Sequence, residues 1–340
     1  MKTVLLLVVS LAFSARAEEG AQQLASLGDL KLESGETLKD CRLGYRVFGK
    51  LDDARSNAIL FPTWFSGTSA DLIDMVGSGK LADSSKYFVV LVDALGNGVS
   101  SSPSNSAQQP HMKFPRISVR DMVEAEHLLL TRVLHLEHLR AVMGISMGGM
   151  QTFQWLVSYP TFMDAAVPIV GSTRLTSYDL MLWMAQNDAI TSDPAWNGGE
   201  YKGNPARGPR FELYSLASSS PRKFNADVPR EKVAEQIEAA KKDPDFDAND
   251  FIRQCQAMQA LDVSKDFGGS MEKAAAAVKA RVLVVVSLQD RMVNPDPAVE
   301  FARHLKADLM ALDSECGHGA FVCEHKKVVA RVAPFLAAKR

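Results

Sequence analysis

The sequence predicts an α/β fold: a mostly parallel central sheet with helices on both faces, interrupted by one helical cap insertion. Three observations point there. Short apolar runs alternate with amphipathic stretches along most of the 340 residues. The run Arg281 to Ser287 is apolar and β-branched almost throughout, as a strand buried on both faces requires. From about 172 to 275 the alternation gives way to short helical pieces punctuated by Pro194, Pro205, Pro209, Pro221, Pro229 and Pro244. A hydrophobic fraction of 46% supplies a core and excludes disorder, while a formal charge of −2 leaves no basic excess to neutralise phosphates. A nucleic-acid partner is therefore not expected.

The chain opens with Lys2, an apolar run from Val4 to Val9 continued by Leu11 to Phe13, and then Ala15-Arg16-Ala17. That is the pattern of a signal peptide, too short to span a bilayer and ending on small residues that a peptidase accepts. The expectation is a leader over 1–17, cleaved to give a periplasmic or secreted protein without stable membrane association. Strands are expected at Leu43 to Phe48, Ala58 to Phe61 and Phe88 to Val92, each bounded by turn-forming residues. Apolar spacings of three and four predict one helix from Val119 to Leu136. Strand character returns at Val142 to Ile145 and Val167 to Val170. After the cap come the strand Arg281 to Ser287, a helix from Ala298 to Leu305, a strand from Leu309 to Leu312 and a helix from Val328 to Phe335.

Between the fourth of these strands and the amphipathic stretch Gln151 to Tyr159 stands Gly144-Ile145-Ser146-Met147-Gly148-Gly149-Met150. Gly-x-Ser-x-Gly at a strand-to-helix turn is a nucleophile elbow, where small neighbours let a strained backbone lift the serine hydroxyl. A serine needs a base, and the base needs an acid to fix its tautomer. Of the seven histidines, His127, His135, His138 and His304 belong to predicted helices or their ends, His111 to a Pro-rich loop before the serine, and His325 to the start of the last helix. His318 remains, in the loop Gly317-His318-Gly319. Asp290 follows the strand Arg281 to Ser287 at its carboxyl end, where open α/β sheets carry functional groups, and is preferred to Asp296 and Asp313. For the oxyanion, the amide of Met147 and an amide of the loop Pro62-Thr63-Trp64-Phe65-Ser66-Gly67-Thr68, assigned to Phe65, are the candidates.

These motifs resemble the homoserine O-acetyltransferase family of α/β-hydrolases. The resemblance rests on the elbow through Gln151, the Asp290 loop, Gly-His-Gly-Ala-Phe at 317 to 321, and Asp193-Pro194-Ala195-Trp196-Asn197-Gly198-Gly199. It implies a Ser-Asp-His acyl-enzyme mechanism, with Phe65 at the first-loop oxyanion position. The sequence departs from the family where Thr63-Trp64-Phe65-Ser66-Gly67 replaces His-Ala-Leu-Thr-Gly, and where Gly319 replaces the acid after the histidine. The family's carboxylate-binding cap arginine has only Arg207 or Arg210 as a counterpart. With an export leader away from cytosolic acyl-coenzyme A, the expectation is a serine esterase with water as acceptor; an O-acyltransferase is the alternative. No cofactor or metal motif is present, and Gly77-Ser78-Gly79-Lys80 lacks the spacing of a phosphate loop. The expected partner is a small-molecule ester, with a homodimer left open. Cys316 and Cys323 are close enough in sequence to be bridged, and buried free thiols are the other reading.

Overall fold

A computed structural model describes residues 19–205, 208–242 and 246–338. The predicted leader, residues 1–17, lies outside the described residues, as do Arg207 and Pro244. The described residues form an eight-stranded sheet in the order β1-β2-β4-β3-β5-β6-β7-β8. Its strands are β1 (Gln23–Lys31), β2 (Thr37–Phe48), β3 (Ala58–Pro62), β4 (Phe88–Val92), β5 (Leu139–Ile145), β6 (Met163–Ile169), β7 (Arg281–Ser287) and β8 (Asp308–Leu312). β1 and β2 run antiparallel at one edge, and every pairing from β4 to β8 is parallel.

Alternation along the central strands builds two cores. Leu60, Val90, Val142, Ala166 and Val284 face one side, and Ile59, Val89, Ala141, Val167 and Val285 face the other. The first side is covered by α1 (Val119–Leu128) and α2 (Met147–Ser158), which bring Met122, Val123 and Phe153 against it. The second is covered by α11 (His325–Ala337) through Val328, Val332 and Phe335. Burial on both faces explains why β4 and β7 read as uninterrupted apolar runs.

One strand was unanticipated, and one expectation needed correction. The strand β1 gave no signal, because bulges at Gly28 interrupt its pairing with β2 and Leu24 is exposed, so no clean alternation exists to read. The helix predicted from Val119 to Leu136 is α-helical only to Leu128. It widens into a π turn over Leu129–Val133 and ends where His135 takes a left-handed backbone conformation.

Between β6 and β7 lie α3 (Ser177–Thr191), α4 (Gly208–Ser218), α5 (Pro221–Asp227), α6 (Val233–Lys242), α7 (Ala248–Gln259) and α8 (Met271–Ala277). α3 packs on α4 and α7, whereas α8 packs on α2 and on α9 (Asp296–Leu305), beside the sheet. α10 (Ala320–Cys323) connects β8 to α11.

Candidate active site

Ser146 occupies the turn from β5 to α2 with φ +58° and ψ −120°, a conformation that an L-residue adopts at a cost of about 1–3 kcal/mol. Main-chain bonds hold it there: its amide donates to Ile169 O at 2.9 Å, and its carbonyl accepts from Met150 at 2.9 Å. The glycines are demanded by close approach. A Cβ at Gly144 would lie 2.2 Å from Gly148 O, and one at Gly148 would lie 2.6 Å from Pro62 O. Three segments thus meet backbone to backbone, and the serine hydroxyl is the group left standing at the carboxyl end of the sheet.

His318 reaches that hydroxyl from the loop between β8 and α10, with Nε2 2.8 Å from Ser146 Oγ. Its Nδ1 lies 2.6 Å from Asp290 Oδ2. A carboxylate only accepts, so Nδ1 carries the proton and Nε2 offers its lone pair to the Ser146 O–H. The other oxygen, Asp290 Oδ1, accepts the amides of Met292 and Val293 at 2.9 and 3.0 Å. These bonds spend both carboxylate oxygens and leave the Asp290 side chain 1% exposed. The competing acids sit elsewhere: Asp296 begins α9, and Asp313 accepts from Gln289 Nε2 at 2.7 Å.

The loop after β3 brings Phe65 under the cap, its ring edge-on to Trp183 and Phe251 with centroids 4.9 and 4.8 Å away. The amides of Phe65 and Met147 find no protein acceptor among the described residues. Three tethers that the sequence did not disclose hold this region. Gln151 Nε2 donates to Thr63 O and Met147 O, tying the first loop to the elbow. Gln254 of α7 accepts the Ser66 amide at 2.8 Å. Asp179 of α3 caps its own helix with Thr176 and accepts the Asn294 amide at 3.0 Å, so it supports the Asp290 loop. Burial pushes the Asp179 carboxyl up, with the amides of Thr176 and Asn294 opposing. Of the three, Asp179 had a local signal, the Thr-x-x-Asp spacing of a capping box.

Ser146 and His318 open into a cavity of about 450 Å³ whose apolar wall includes Trp64, Phe65, Trp183 and Met292. Trp183 is fixed by donating Nε1–H to Met292 O at 3.2 Å. Arg210 is buried, with its guanidinium 4.3 Å from the Phe251 ring centroid. Three of the other six histidines serve other ends: His127 stacks on Tyr159, His138 pairs with Asp164, and His111 meets Gly199 O. Gly77 and Lys80 close a turn on one another. Among the described residues no cluster of His, Cys, Asp and Glu is placed to hold a metal, and no helix is long and apolar enough to cross a membrane.

Comparison with known proteins places this geometry in context. The chain is 34% identical over 325 residues to a probable esterase of Corynebacterium glutamicum, covering 90% of this chain and 92% of the relative. It is 32% identical to an ethyl acetate hydrolase of Pseudomonas veronii, with the same coverage. A homoserine O-acetyltransferase of Geotalea daltonii is 31% identical over 91% of this chain and 95% of its own. Among solved structures, the acetyl esterase MekB superposes with a TM-score of 0.87 at 31% identity, over 94% of this chain and 98% of that one. The model of the alpha/beta hydrolase fold matches residues 59–324, and the chain belongs to that family.

Proposed function

We propose that this chain is an exported serine esterase that cleaves small acyl esters through an acyl-enzyme. The observation that carries the reading is the unbroken relay from Asp290 through His318 to Ser146, with both bonds below 3 Å, at the edge of an apolar cavity. Ser146 Oγ attacks the ester carbonyl while His318 Nε2 takes its proton, and Asp290 stabilises the resulting imidazolium. The amides of Phe65 and Met147 receive the oxyanion, where fixed dipoles stabilise charge without reorganising. The alcohol leaves with the proton from His318. Water then attacks the acyl carbon with His318 again as base, the acyl–Oγ bond breaks as His318 returns the proton to Ser146, and the carboxylic acid departs.

Relatives described as a probable esterase and an ethyl acetate hydrolase support water as acceptor and a short acyl group. The leader-like residues 1–17 support export, and the mature chain acts on small molecules without membrane attachment. The similarity to homoserine O-acetyltransferases favours a second reading, transfer of an acyl group from a coenzyme A thioester to an alcohol. Purified protein given a simple acetate ester is expected to release acetate; given acetyl-coenzyme A and homoserine, it is expected to transfer little. Rapid transfer with negligible ester cleavage reverses the assignment.

A further inference from the structure

Cys316 and Cys323 are bonded to one another seven positions apart. The ring they close contains Gly317, His318, Gly319 and most of α10, and both cysteines line the cavity of Ser146. Cys323 is exposed and Cys316 half-buried, so solvent thiols can reach the bridge, whereas the other two cysteines, Cys41 and Cys255, are buried and free.

The backbone around His318 is held unevenly. Before the histidine, the Ser220 amide donates to Glu315 O, and Gly317 packs so closely on Ser219 that a Cβ would lie 2.9 Å from its Cα. After it, Ala320 is buried in the core, but Gly319 has nothing within 4 Å of a Cβ position, and Val322 and Cys323 are exposed. α10 has four residues, far fewer than a helix needs to persist by itself. The disulfide joins the exposed end of α10 to the pinned side of the histidine.

We propose that the Cys316–Cys323 bridge is a positioning pair for His318, keeping the imidazole in register with Ser146 and Asp290 so that ester hydrolysis runs at full rate only in the oxidised protein. The inference rests on the reading of Ser146 and His318 as nucleophile and base. A dithiol such as dithiothreitol opens the bridge by two exchanges: one thiolate attacks a protein sulfur to form a mixed disulfide, and the second displaces it. Two electrons and two protons pass to the protein, leaving two thiols and the cyclic disulfide of the reagent.

A misplacement of about 1 Å at a reacting group can cost roughly 10²-fold, so the reduced protein is expected to lose about ten- to a hundredfold in kcat with KM nearly unchanged. The test compares oxidised, reduced and re-oxidised protein, with thiols titrated to verify each state. It measures kcat and KM on an acetate ester, the rate of labelling by an organophosphorus serine probe, and Tm. The expected result is that kcat and labelling fall together and return on re-oxidation, with circular dichroism constant. A lower Tm with unchanged kcat in verified reduced protein overturns the proposal, because it assigns the bridge to stability alone. A folded Cys316→Ser/Cys323→Ser variant carries the same test where the native bridge resists the dithiol, and the reduced wild type carries it where that variant fails to fold. Wild-type activity in Ser146→Ala sinks the site reading itself, whereas an inactive Ser146→Ala beside a redox-insensitive wild type sinks only the positioning role.

Discussion

Around Ser146 the glycines at the start of α2 bring the ends of β3, β5 and β6 into close main-chain approach, whereas around His318 a glycine-flanked loop leans on the cap and on a disulfide. The proposed nucleophile, Ser146, is fixed mainly by close main-chain packing, with Gln151 tying the first loop to the elbow. The proposed base, His318, is fixed by tethers that can be cut singly. This division suits the proposed reaction, in which the hydroxyl sits still while the imidazole gives a proton to the leaving alcohol and later takes one from water. The two regions should respond differently to substitution.

Removing the hydroxyl has the largest expected effect. Ser146→Ala is expected to lower kcat by about 10⁴–10⁶-fold, as in other triads, while thermal stability stays within about 0.5 kcal/mol of wild type. Ester turnover and calorimetry on the same sample check both halves. A smaller loss, about 10³–10⁴-fold, is expected for Asp290→Asn. If Oδ1 keeps the amides of Met292 and Val293, the new NH₂ faces His318 Nδ1 and donates to it. The ring proton then moves to Nε2, and the imidazole cannot accept from serine. Near-normal kcat in that variant would remove Asp290 from the relay.

The contrast in backbone restraint is tested by two glycines. Gly144→Ala places a methyl 2.2 Å from Gly148 O and 2.9 Å from Thr152 Oγ1, and is expected to destabilise by about 1–3 kcal/mol and misplace the elbow. Gly319→Ala has φ −80° and open space, so its stability is expected to change by less than about 0.5 kcal/mol. Chemical denaturation of both variants gives the comparison directly. Equal losses would mean that the histidine loop is packed as rigidly as the elbow.

Legibility in the sequence followed the same line. Strands buried on both faces were readable to the residue, as in Phe88–Val92 and Arg281–Ser287, because burial alone sets their composition. The bulged edge strand Gln23–Lys31 was silent, and the π turn at Leu129–Val133 was invisible because apolar spacing does not separate it from an α-turn. Ser146 announced itself through glycines that close approach demands, His318 emerged by elimination, and Asp290 by its position after a strand. The tethering roles of Gln151 and Gln254 left no trace, since their partners Thr63 and Ser66 lie 88 and 188 residues away. A polar residue that ties distant loops has no local pattern to betray it.

A buried group far from the cavity separates stability from catalysis more finely. Glu126 on α1 is 1% exposed, and its Oε2 accepts from Trp155 Nε1 at 2.6 Å. Burial pushes its carboxyl up to about 8 from an ordinary 4.5, with the indole donor opposing. Between those pH values the folded chain keeps a proton that the unfolded chain releases, so this group's contribution is full below about 4.5 and is lost as pH rises toward 8. Asp250, pushed up to about 7 mainly by burial, adds a slope of the same sign. Glu126→Gln is neutral throughout and keeps an acceptor for the indole, so the decline in unfolding free energy between about pH 5 and 8 is expected to shrink by on the order of 1–2 kcal/mol without vanishing. Glu126 does not border the cavity, and kcat at neutral pH should stay within about twofold of wild type. Denaturation midpoints across that range decide the point: an unaltered slope in the variant would mean that Glu126 is ionised in the folded protein, its charge held by the Trp155 indole N–H.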